Sequence, residues 1–206
     1  MVIGLAGYIG VGKSTAAKKL CEHIIQVSDK PACTWGFGAE LRSEIIDFIE
    51  EPSSFCIHQN EYPKDVEVLH GLLTLLQIPS MIHYKPTQND IRKLLQWWGT
   101  EFRRNQDPNY WVKRWSNRMY ETELSTSIVV DDVRFKNEYE AVINQPDSIV
   151  VMLNRDGVER QSNHSSEDFS WFTKDLPKTI EYTLTEEDLE SGEYLYNAIQ
   201  EAINRY

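Results

Sequence analysis

The chain begins MVIGLAGYIGVGKSTAAKKL, and this stretch constrains the fold more than any other. Val2-Ile3-Gly4-Leu5-Ala6 is a short apolar run that reads as a buried strand. Gly7-Tyr8-Ile9-Gly10-Val11-Gly12-Lys13-Ser14 then fits the pattern G-x-x-x-x-G-K-[ST]. Behind it Ala16, Leu20, Ile24 and Val27 recur at helical spacing, which predicts a helix from about Lys13 to Val27. Strand, glycine loop and helix in this order form a phosphate-binding loop. The loop backbone of Gly7, Gly10, Val11 and Gly12 can turn its N–H groups inward around a polyphosphate. The helix N-terminus adds further donors and the positive end of its dipole. Lys13 is placed to reach the β- and γ-phosphates, Ser14 to offer a hydroxyl to Mg²⁺, and Thr15 to help hold an α-phosphate. The motif implies a nucleoside triphosphate site but not a reaction, because kinases, GTPases and ATPases share it.

The rest of the composition narrows the setting. A chain of 206 residues is long enough to bury one sizeable core. Its net charge of −11 argues against non-specific binding to nucleic acid polymers or an anionic membrane. No apolar run approaches the roughly 18 residues of a membrane span. The N-terminal run breaks into the glycine loop and lacks a basic start, so it does not read as a secretory signal. The three cysteines, Cys21, Cys33 and Cys56, form no C-x-x-C pair and predict reduced thiols, no structural metal and a cytoplasmic location. In so acidic a chain, a protein that handles phosphate must gather its few cations locally.

Those cations fall in three places. Arg42 lies in "TWGFGAELRSEIIDFI", where Leu41, Ile45, Phe48 and Ile49 share one helical face and Arg42 reads as part of the first turn. A basic residue there opposes the helix dipole, so either a bound anion or a solvated side chain accounts for it. The segment "NDIRKLLQWWGTEFRRNQDPNYWVKRWSNRMYETEL" predicts two helices parted near Asp107-Pro108. Ile91, Leu94, Leu95 and Trp98 form one apolar face, and Trp111, Trp115 and Met119 another. Beside them sit Arg92, Lys93, Arg103, Arg104, Lys113, Arg114 and Arg118, a basic cluster that suggests an anion on its inner side. A solvated face accounts equally for Lys93, Lys113 and Arg114. The third place is the polar loop after the strand Ser148–Leu153, with Arg155, Arg160 and His164, which could close over a phosphate donor. Residues 51–65 read as a loop, and "VEVLHGLLTLLQI" as a helix ended by Pro79.

"SIVVDDVRF" is an apolar strand that ends in Asp131-Asp132. A carboxylate at that position is what a phosphate-binding site uses to orient Mg²⁺. Neighbours on a strand point to opposite faces, so one of the two should reach the metal. The chain closes with a strand and a helix that buries Leu195, Ile199 and Ala202. The alternation of strands and helices gives a three-layer α/β fold with a mostly parallel sheet. Ligands should lie beyond the carboxyl ends of its strands.

The later motifs carry a resemblance. "LLQWWGTEFRRNQDPNYW" resembles the L-Q-x-x-G-T-E-x-x-R…P-x-x-W segment of the bacteriophage-type deoxynucleoside monophosphate kinases, within the P-loop nucleoside monophosphate kinase group. "VVDDVRFKNE" resembles their D-V-R-F-x-N-E, and "HSSE" their H-x-S-E, in the same order over about Met1 to Glu167. The resemblance implies a single P-loop kinase domain over 1–206, with an acceptor-binding region at about 38–118 and a lid at about 154–168. It implies ATP as donor, Mg²⁺, and a deoxynucleoside monophosphate acceptor converted to its diphosphate in nucleotide biosynthesis. The setting would be the cytoplasm, of an infected host cell if the chain is of phage origin, and a homodimer is left open. By position Asp132 takes the family aspartate's place and, with Ser14, the metal. Arg104 takes the family arginine's place, and Arg134 is implied to face the phosphates. Arg42 and Trp98 are implied on the acceptor side, Arg155 and Arg160 on the donor side by location.

Two other readings compete. A dephospho-coenzyme A kinase opens with a similar glycine loop, but would need an aspartate base where this chain reads "GFGAELR". A P-loop switch that reads guanine would carry N-K-x-D, and the sequence has none.

Overall fold

Val2–Ala6 is buried at every position rather than at alternate ones. A strand covered on both faces belongs at the centre of a parallel sheet. The computed structural model, which describes residues 1–50, 94–121, 125–160, 164–173 and 175–205, places it there. Strands β1 (Val2–Ala6), β2 (Ala32–Thr34), β3 (Ser127–Val133), β4 (Ser148–Asn154) and β5 (Thr179–Thr183) form one sheet in the order β2-β3-β1-β4-β5. Every pairing is parallel. The strand order reverses at β1, the switch point outside whose carboxyl end such sheets bind ligands.

The helices are α1 (Lys13–Ser28), α2 (Phe37–Glu50), α3 (Tyr110–Glu121), α4 (Lys136–Ile143), α5 (Glu186–Ser191) and α6 (Glu193–Ile203) among the described residues, with a π-helical stretch at Trp97–Arg104. Ala16, Ala17, Leu20 and Ile24 of α1 and Leu195, Ile199 and Ala202 of α6 pack with Ile3, Leu5, Val129, Ile149 and Val151. Fully burying one such aliphatic side chain contributes about 1.5–3 kcal/mol, so this face anchors the loop that joins β1 to α1. Across the sheet α4 covers β1 and β4, burying Tyr139 and Val142. The result is a three-layer α/β/α fold. Among the described residues no helix is long and apolar enough to cross a membrane.

The chain divides into two compact units, Met1–Phe37 with Val112–Tyr206, and Gly38–Trp111. The first holds the sheet. The chain leaves it within α2 and returns within α3. In the second, Trp98, Phe102 and Trp111 are buried with Glu44.

Three sequence expectations need adjustment. Helix α2 starts at Phe37, so Arg42 falls in its second turn and is exposed, out of reach of the dipole argument that singled it out. The segment before Asp107-Pro108 is wound as a π-helix, not an α-helix, which shifts the faces that a 3.6-residue period assigns. The C-terminal helix is two, broken at Gly192. The helix read in 66–78, and Ile91, Arg92 and Lys93, lie outside the described residues.

Candidate active site

The loop after β1 is built around its glycines. Gly7 has φ +142°, and a Cβ there would stand 2.5 Å from the Leu153 carbonyl oxygen of β4, so no other residue fits. Helix α1 then begins with no side-chain cap and no acidic residue in its first turn. Its leading N–H groups are thereby left for an anion. Ser14 and Thr15 are exposed, while Lys13 keeps only 8% of its surface. The Lys13 ammonium donates to the carbonyl oxygens of Gly7 (2.6 Å) and Tyr8 (2.8 Å), folding back over the loop. Burial, and then the nearby Arg134 guanidinium, push its pKa down to about 8, against the opposing pull of Glu167, Asp132 and Asp131.

The end of β3 carries a register shift. Gly4 pairs with Val130 and Ala6 with Val133, so two steps along β1 match three along β3. The extra residue falls at Asp131-Asp132, a bulge of the kind that re-aims side chains beside functional sites. Asp131 Oδ2 accepts the Ser14 hydroxyl at 2.7 Å. Asp132 Oδ1 accepts the Phe37 N–H at 2.8 Å and so holds the start of α2. Gly36 makes room for it, since a Cβ there would lie 2.3 Å from that oxygen. The sequence expectation paired Ser14 with Asp132 for a metal; the structure joins Ser14 to Asp131 instead, because the bulge turns Asp132 toward α2. Ser14 Oγ and Asp131 Oδ2 are both hard oxygen donors, a set that fits Mg²⁺, which takes one or two carboxylates and completes its shell with water and phosphate.

Arg134 follows directly. Its N–H and that of Phe135 donate to the buried Glu138 carboxylate (2.7 and 3.0 Å), and its carbonyl accepts the Trp171 indole N–H (3.1 Å). Its guanidinium reaches Glu167 Oε1 at 3.3 Å, while Glu167 Oε2 accepts the Ile9 N–H of the glycine loop at 3.2 Å. Glu167 has no exposed surface. Sequence reasoning quoted it only as the last letter of "HSSE"; a loop position gives no periodicity from which to read burial. His164, from the same motif, caps the 3₁₀ turn Ser165–Glu167, accepting the Ser166 N–H at 3.2 Å. Of the arginines assigned to the donor side, Arg155 pairs with Glu186 at the start of α5, and Arg160 is exposed.

The Gly38–Trp111 unit has its own charged centre. The buried Glu44 carboxylate accepts the Trp98 indole N–H (2.8 Å), the Arg103 Nε–H (2.7 Å) and the Tyr110 hydroxyl. The Arg103 guanidinium lies 4.9 Å from the Phe102 and Tyr110 ring centroids and 5.4 Å from that of Trp98. Trp98, expected at the acceptor, is fully buried and serves this centre. Arg104 is half-buried, with Nη1 3.4 Å from the Pro108 carbonyl oxygen. Glu44 was missed: its spacing places it beside Ile45 on α2, and nothing in the sequence marks a carboxylate as buried.

The family model described as deoxynucleotide monophosphate kinase matches residues 43–170. No curated protein matches the chain.

Two outcomes follow from this geometry. Asp131→Asn should lower turnover strongly, about a hundredfold, as loss of a preorganised electrostatic group does. Asp132→Ala, which removes the acceptor of the Phe37 N–H, should instead lower the melting temperature, by about 2–4 °C for a cap worth about 1 kcal/mol, with the smaller effect on turnover. Steady-state kinetics and thermal melts of both variants check the order, and the reverse order would return the metal to Asp132. Lys13 sets a pH dependence. Its charged form attracts phosphate, a bound polyanion raises its pKa, and deprotonation above about pH 8 removes the attraction. Affinity for a nucleoside triphosphate without divalent cations should therefore fall about tenfold between pH 7 and 9, with proton uptake on binding at pH 9. Calorimetry in buffers of different ionisation enthalpy measures both, and a flat profile would contradict the assignment.

Proposed function

This chain belongs to the deoxynucleotide monophosphate kinase family, and from that premise we propose that it transfers the γ-phosphoryl group of ATP to the phosphate of a deoxynucleoside monophosphate, giving the diphosphate and ADP. The observation that carries the donor side is the uncapped start of α1 beneath the glycine loop, with the Ser14 hydroxyl on Asp131 and Lys13 folded over the loop carbonyls.

The loop N–H groups other than that of Ile9, which Glu167 takes, and the first residues of α1, Thr15 included, cradle the triphosphate. Lys13 exchanges its two carbonyl partners for phosphate oxygens. Ser14 and Asp131 would hold Mg²⁺, which when bound supplies charge neutralisation across the β- and γ-phosphates. Arg134 adds a second cation beside Lys13. The two cations oppose one another until a polyanion arrives, which is the preorganisation that stabilises charge in phosphoryl transfer. No general base is needed, because the acceptor presents a phosphate oxyanion. Arg155 and Arg160 belong to the donor lid at 154–168. The acceptor region is assigned to 38–118. There Arg42 and Arg104 take the monophosphate, since a guanidinium fork can hold two phosphate oxygens at once. Trp98, buried on Glu44, supports this region's core and does not touch the acceptor.

ADP release with dTMP, dGMP, dCMP and dAMP tests the reaction. At least one should be turned over by the wild type and not by Lys13→Ala; ADP release with none would exclude this activity. Arg42→Ala and Arg104→Ala should raise KM for the accepted monophosphate about tenfold or more, with KM for ATP little changed, and Lys replacements should restore only part. A rise confined to KM for ATP would move these arginines to the donor side.

A further inference from the structure

Glu167 is a carboxylate with no exposed surface, and nothing in the phosphate chemistry above uses it. A buried carboxylate is costly unless charge and hydrogen bonds compensate it. Its two oxygens are divided between two parts of the donor site. Oε2 takes the N–H of Ile9, the residue after the two whose carbonyls receive Lys13. Oε1 takes the guanidinium of Arg134, whose side chain keeps about a third of its surface exposed. The turn that presents Glu167 is itself fixed. His164 accepts the Ser166 N–H, its ring nitrogen lies 2.8 Å from the Ser166 hydroxyl, and the Glu167 N–H donates to the His164 carbonyl.

The same segment grips the site twice more. Trp171 donates its indole N–H to the Arg134 carbonyl, and Phe169 meets the Tyr8 ring edge-on at 5.5 Å. Arg134 is thus held at its N–H by Glu138, at its carbonyl by Trp171 and at its guanidinium by Glu167. A surface arginine needs no such restraint. An arginine that must stand still beside a loop while charge moves does, because small misplacements of a reacting or stabilising group cost orders of magnitude in rate.

We infer that Glu167 is a positioning residue for phosphoryl transfer: with one oxygen it aims Arg134, and with the other it pins the glycine loop at Ile9, so that cation and phosphate cradle share one rigid reference. This rests on the reading that Arg134 serves the transferred phosphoryl group. The carboxylate touches neither substrate; it acts through Arg134 and the loop.

The test is a cycle of full-length variants, Glu167→Gln, Arg134→Ala and the double replacement. Each is assayed with ATP and whichever of dTMP, dGMP, dCMP and dAMP the wild type turns over fastest. Glu167→Gln should lower kcat about tenfold to a hundredfold while leaving KM for the monophosphate within about twofold. In the Arg134→Ala background the same change should cost clearly less than in the wild type, because the group it aims is gone and only its hold on Ile9 is left to lose. Glu167→Asp, which keeps the charge but is one methylene too short to span both partners, serves in the same cycle should the Gln variant not fold by circular dichroism. Multiplicative effects in the double variant, with Arg134→Ala itself impaired, would overturn the positioning role alone. So would a kcat near wild type for both Glu167 variants. An Arg134→Ala enzyme with near-normal kcat would overturn the role of Arg134 and this inference together.

Discussion

Asp132 holds the start of α2 while Asp131 holds Ser14, and both contacts depend on the extra residue that β3 carries opposite β1. Without the bulge, two neighbouring carboxylates would point to opposite faces of the sheet. With it, both leave the strand end toward helix N-termini, one toward α1 and one toward α2. The strand beyond can still rejoin the register, since Val133 pairs with Ala6 and stays buried. The site therefore rests on one irregularity in an otherwise regular parallel sheet, and Gly36 is where the chain makes room for it.

That irregularity also marks where sequence reading stops. The β1–loop–α1 unit was legible because each part has a local signature: an apolar run, glycines at fixed offsets, then helical spacing. The sheet was legible as parallel because its central strands are continuous apolar runs. The choice between Asp131 and Asp132 was not legible. A strand period of two has no term for a bulge, so the family position favoured Asp132 while the geometry puts Asp131 on Ser14. The π-helical stretch hid Arg103 and Arg104 in the same way. A 3.6-residue period cannot say which of two adjacent arginines turns inward, and here it is Arg103. Buried carboxylates were the other blind spot. Glu44, Glu138 and Glu167 look in the sequence like any solvated acid, and only their partners reveal them.

Those carboxylates bear on how so acidic a chain manages a polyanionic ligand. Net charge of −11 would repel a triphosphate at long range. At contact distance the local arrangement decides, and salt screens charges more than about 10 Å away. Around the glycine loop the acids are tied to particular donors: Glu167 to Ile9 and Arg134, Glu138 to two backbone N–H groups, Asp132 to Phe37. Each of these three carboxylates fixes a donor or a loop. Lys13, its pKa pushed down to about 8 by burial and by Arg134, is the complement: a cation whose charge a bound anion would favour further.

The Gly38–Trp111 unit applies the same rule to a different end. Glu44 and Arg103 form an ion pair with almost no solvent exposure, a costly arrangement unless further donors complete it. The Trp98 indole and the Tyr110 hydroxyl do so on the Glu44 side, and three aromatic rings lie within 5.4 Å of the Arg103 guanidinium on the other. A centre so specified fixes the winding of Trp97–Arg104 by its charged groups as well as by apolar packing. Holding Arg103 inward also fixes where the next residue can go. Arg104 is left at the edge of the same turn, half-exposed, with Nη1 on the Pro108 carbonyl. The two adjacent arginines are thus set apart by the winding, Arg103 inside with Glu44 and Arg104 at its edge beside Pro108.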